Sequence, residues 1–108
     1  MRKISPRVLA VLLSEPNICE RYSDGGCGGR ITFEHAIIFA GSQLDEVWAI
    51  IHLCAFHHAV DEYQDGGDLQ KEKNVWIALN RASDAELIAI SKCIDYLALR
   101  KRLNKKYQ

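Results

Sequence analysis

Residues 52–58 read HLCAFHH, one cysteine and three histidines in a single short stretch. Soft and borderline ligands at this density are rare in an ordinary core. Cys54 and His57 are separated by two residues, a spacing at which a strand handing over to a helix turns both side chains onto one ion. Cys19 and Cys27 lie upstream, one on each side of a loop, and four of the seven glycines are packed around Cys27. Together they make a Cys3His set, a common tetrahedral zinc combination. The alternative is that the cysteines are reduced and merely buried. Glycines 25, 26, 28 and 29 let the seven-residue gap fold back on itself, where a tight zinc knuckle would need no such loop.

A metal staple suits a chain of this size. At 108 residues it makes one small domain, for which apolar burial alone is marginal. The opening MRKISPRVLAVLLSEP has too short an apolar run and no small-residue cleavage site for a secretory leader. It reads as an N-capped helix with Pro6 in its first turn, over about 6–14. No segment approaches a membrane span, so the expectation is a cytoplasmic protein whose cysteines are reduced and metal-bound rather than paired in disulfides. Lysine plus arginine equals aspartate plus glutamate at 14 each, so bulk charge names no partner. The cations gather at the ends, with Arg100, Lys101, Arg102, Lys105 and Lys106 closing the chain. Such a tail is either a phosphate-contacting surface or a solvated helix end.

The pattern along the chain is α+β. RITFEHAI and AIIHLC have strand composition, with GSQLDEVW as the connecting loop. A helix is expected from about Ala55 to Gln64, stopped at DGGD. Two more follow, one over 69–80 and a last one from Ser83, where Glu86 completes a capping box. The stripe Leu87, Ile90, Ile94, Leu97 suits one continuous helical face, with Cys93 as a small buried residue inside it.

The remaining histidines suggest chemistry. On a helix His58 points about 100° away from His57 and so serves a different site. Glu34 and His35 alternate across a strand, but at a strand end both can reach one site. Glu62 lies one turn beyond His58, near Asp61. A carboxylate and an imidazole holding a divalent cation, with a second imidazole to take a proton from water, suffice for phosphodiester hydrolysis. The plainer reading of each is separate: His35 bonded to backbone, His58 a surface residue, His52 a structural one.

FEHAI and LCAFHH, in this order and preceded by Cys19 and Cys27, resemble the HNH endonucleases, especially the small zinc-stapled versions of phages and prophages. The resemblance covers about residues 17–64, leaving 65–108 as a helical extension. It implies a ββα-metal core on a treble-clef-like zinc frame; the one N-terminal and two C-terminal helices around that core are expected from the sequence pattern and not from the family. It also implies His35 as the general base, and Glu34 and His58 around a catalytic divalent cation such as Mg²⁺, to which Glu62 is added as a candidate from its place one turn beyond His58. Cys19, Cys27, Cys54 and His57 would hold structural Zn²⁺, and Arg21 and Arg30 would contact nucleic-acid phosphates, DNA above all. The family's middle asparagine would fall near Trp48 or Ala49, and no asparagine stands there. The competing expectations are a zinc-stabilised nucleic-acid- or partner-binding module that cuts nothing, and a partner protein whose working surface is its C-terminal helices.

Overall fold

A computed structural model describes residues 4–39, 42–58 and 67–107. Its centre is an antiparallel pair, β1 (Ile31–His35) and β4 (Ile50–Cys54), in the register Ile31↔Cys54 through His35↔Ile50. The connection between them carries a small second ladder, β2 (Ile38–Phe39) with β3 (Ser42–Gln43), and then a 3₁₀ turn, Val47–Ala49. Backbone bonds close this connection. Ala36 N–H donates to Ala49 O at 2.9 Å, and Leu44 N–H donates to Ile37 O at 2.9 Å.

Period-two alternation gives the pair two different faces. Phe33, His52 and Cys54 share one face, where the rings of Phe33 and His52 meet edge to face with centroids 5.2 Å apart. Thr32 and Glu34 share the other with Ile51 and Leu53. Helix α1 (Pro6–Ser14) covers Ile50 and Phe33 with Val8 and Leu12. Pro6 at its first turn pre-sets φ. Pro16 ends it, because the residue before a proline leaves the helical region, and Glu15 is extended. A helix also opens at residue 55, directly after β4, and is described to residue 58; it is labelled α2 here.

The C-terminal part is helical: α3 (Gly67–Arg81), α4 (Asp84–Ile90) and α5 (Tyr96–Tyr107). Ala78, Leu79, Leu87, Tyr96 and Leu103 from these helices join Ile51 and Leu53 in the main core. Trp76 Nε1 donates to Asn104 Oδ1 at 2.8 Å and ties α3 to α5. The single last helix expected from Ser83 is in fact two, so three helices rather than two follow residue 65. The Ser83–Glu86 capping box is present, but α4 ends at Ile90. Ser91 turns its hydroxyl back onto Leu87 O at 2.6 Å and accepts Tyr96 N–H at 3.1 Å, while Asp95 caps the new helix by accepting Ala98 N–H at 3.1 Å. Ile94 therefore leaves the apolar stripe, and Cys93 is exposed in the break rather than buried in a helix. No helix among the described residues is long and apolar enough to cross a membrane.

Candidate metal centre and the adjoining cleft

The loop between Cys19 and Cys27 closes by local bonds. Tyr22 N–H donates to Cys19 O, Asp24 N–H to Arg21 O, and Gly25 N–H to Tyr22 O, all within 3.0–3.1 Å. Gly25 then takes φ = 76°, a conformation L side chains rarely adopt. The loop lies along the start of α2, with Phe56 N–H on Gly28 O and Ala55 N–H on Arg30 O. Gly29, at φ = 81°, approaches Ala55 so closely that a Cβ there would lie 2.6 Å from the Ala55 Cβ.

This folding brings Cys19, Cys27, Cys54 and His57 together, with all four donor atoms within 4.8 Å of one another. His57 Nδ1 faces the three sulfurs, at 3.3 Å from Cys19, 3.6 Å from Cys27 and 3.2 Å from Cys54. A zinc tetrahedron with ordinary bond lengths has sulfur–nitrogen edges of about 3.6 Å. The donor set therefore fits such an ion, and three thiols around one imidazole cannot all be satisfied as disulfides. The other ring nitrogen, Nε2, lies 3.0 Å from Gly25 O, the backbone contact that fixes which nitrogen a ligating histidine offers. Burial alone would raise the Cys54 thiol. The N–H groups of His57 and Gly28 and the neighbouring thiols outweigh burial and bring it down to about 6. Cys27 is pushed up to about 11 by desolvation and by the two other sulfurs. The cluster thus yields its first proton readily and resists a build-up of negative charge, which a bound cation would relieve.

His58, next in the chain, has different surroundings. Its Nδ1 is 2.8 Å from Thr32 Oγ1, and its Nε2 is 2.9 Å from Glu34 Oε2. The Thr32 hydroxyl in turn donates to Leu53 O at 3.0 Å. Glu34 and His35 both line a cleft of about 540 Å³ whose far wall comes from α3 and α5. They reach the same space because β1 ends at His35. Glu62 lies outside the described residues. Arg30 is exposed, whereas Arg21 is 4% exposed and its Nε donates to Asp24 at 3.0 Å. The backbone near the expected asparagine position is core, with Trp48 and Ala49 buried.

His52 belongs to an ionic clasp that sequence reasoning did not anticipate. Its backbone N–H donates to Glu20 Oε2 at 2.6 Å, and its ring lies 3.4 Å from the same oxygen. Arg81, at the end of α3, spans Glu20 at 2.9 Å and Glu15 at 2.7 Å. The clasp joins three segments distant in sequence, so no local spacing announces it. Thr32 was within reach, since period two puts it on the Glu34 face. Lys71, Asn74 and Tyr96, which line the cleft with Glu34 and His35, come from helices outside the motif. Comparison of the chain with family models, with curated proteins and with solved structures finds no match.

Proposed function

We propose that the protein is a metal-dependent endonuclease of the HNH type, built on a zinc-stapled ββα-metal core. The observation that carries this reading is the Glu34–His58 pair, oxygen to nitrogen at 2.9 Å, whose carboxylate side chain lines a cleft that His35 also lines. Adjacent ligands of an octahedral ion with bonds of about 2.1 Å lie about 3.0 Å apart, so the separation suits two neighbouring positions on one divalent cation. The Thr32 hydroxyl, bonded to Leu53 O, orients the imidazole through Nδ1 and leaves Nε2 toward the carboxylate. Glu34 and His58 would hold the cation, which would supply the charge that polarises a phosphate and steadies the departing oxygen. His35 takes the proton of the attacking water, a task suited to an imidazole near neutrality. Substrate phosphates meet Arg30 and the exposed lysines, and a phage or prophage origin accords with the same resemblance.

The test is cleavage of plasmid and oligonucleotide DNA with magnesium, with manganese and with a chelator. His35→Ala should lose about 100-fold or more in rate, while keeping its zinc content and melting temperature. Undiminished cutting by that variant would remove the proposed base. A wild-type protein that binds DNA and cuts none would instead favour the non-catalytic binding module, in which Glu34 and His58 are simply an ion pair.

A further inference from the structure

Glu34 and His35 occupy one end of the cleft, and the remainder is built differently. Its walls are apolar, with Ile37 from the hairpin, Val75 from α3 and Leu99 from α5. Tyr96 forms part of the same wall and is 6% exposed. Two carboxamides, Gln43 and Asn74, face into it among these apolar groups, and Asn74 is 3% exposed. Lys71 stands exposed on the α3 side, and Ile94, 52% exposed, stands on the α5 side. The volume, about 540 Å³, falls in the range of pockets for small organic molecules, roughly 300–1,000 Å³.

A site that met only the outside of a duplex would need a shallow, cationic surface, because a duplex offers phosphates and groove edges. A recessed apolar slot with two amides suits a flat heterocycle. Apolar walls accept its faces, and carboxamides, which both donate and accept, can pair with its edge. One cation of the lining matches this ligand: Lys71, exposed on α3, stands where it can meet the phosphate of a strand.

We infer that this cleft receives an unpaired nucleotide of a nucleic-acid strand, with its base between the apolar walls and its phosphate toward Lys71 and the Glu34–His35 end. The inference rests on the nuclease reading for the chemistry at the bond. It adds that the substrate is single-stranded at the point of attack: an overhang, a flap or a junction rather than a continuous duplex.

The experiment measures anisotropy of a fluorescein-labelled 12-nucleotide DNA strand, its blunt duplex, and the duplex with a single-stranded overhang. Wild-type protein is used without added divalent cation, and cutting is then scored after magnesium is added. The single strand and the overhang should bind at least tenfold tighter than the blunt duplex. Lys71→Glu and Ile94→Glu, both at exposed positions, should each weaken strand binding about tenfold without changing melting. Ile88→Glu, exposed on α4 and outside the cleft, should not. Equal affinity for blunt duplex and single strand, or full affinity in Ile94→Glu, would overturn the inference. So would displacement of the strand by thymidine monophosphate at equal nucleotide concentration. Selective strand binding without any cutting would leave the inference standing and defeat the nuclease reading. Cutting of blunt duplex as fast as the overhang would do the reverse.

Discussion

His57 and His58 are consecutive, yet they belong to opposite regions of the hairpin. His57 is 3% exposed, enclosed by three sulfurs, with its far nitrogen on the Gly25 carbonyl. His58 is about a quarter exposed and is held by one hydroxyl and one carboxylate. The first region is over-determined: the glycine loop, the thiols, the edge contact of Phe33 with His52 and the Arg81 clasp all converge on it. The second is held by a few polar contacts beside an open cleft. Identical side chains thus take different tasks because of their neighbours. One face is bonded through contacts that join distant segments of the chain, and the other holds its imidazole by two polar contacts at a partly exposed position.

The sharpest way to break this contrast is Cys54→Ser. Serine is a poor zinc ligand, and binding free energy at such sites, about 10–16 kcal/mol in zinc-finger peptides, is also folding free energy. Bound zinc should fall from about one per chain to near zero, and the cooperative melting transition should vanish; elemental analysis and calorimetry measure both. A zinc-free variant with unchanged melting would show that the sulfur-rich region does not carry the fold.

A smaller loss is expected from Arg81→Leu. It leaves Glu15 and Glu20 facing each other and His52 without their cation, at a cost of about 2–3 kcal/mol for groups that are only partly buried. Urea unfolding should record that loss with zinc content preserved. A change below about 0.5 kcal/mol would mean that the clasp is an incidental surface pair.

The smallest effect on stability belongs to the other region. Thr32→Val removes the contact to His58 Nδ1 and should shift stability by less than about 1 kcal/mol, since water can replace a hydroxyl at a ring about a quarter exposed. The same change should weaken manganese binding about 10–100-fold by releasing the imidazole, read by titration calorimetry. A variant that lost several kcal/mol and bound manganese normally would reverse the contrast drawn here.

These regions were unequally legible in the sequence. Cys54 and His57 announce themselves because their spacing is local, and the glycines around Cys27 mark where the loop must turn back. The two strands followed from β-branched and aromatic runs. The break between α4 and α5 was hidden because Ile90 and Ile94 sustain an apolar period across it, while Ser91 and Asp95 act through hydrogen bonds that hydropathy does not register. The cleft was hidden for another reason. Lys71, Asn74 and Tyr96 reach Glu34 and His35 only through the packing of α3 and α5, and single-sequence spacing carries no information about that. Arg81 shows the same limit, as it closes a contact with Glu15 across 66 positions.

Of the four converging donors, three are enclosed and Cys27 alone faces the medium. A reagent approaching this cluster from solvent therefore meets the Cys27 sulfur first, while the other two thiols and the imidazole stay behind it.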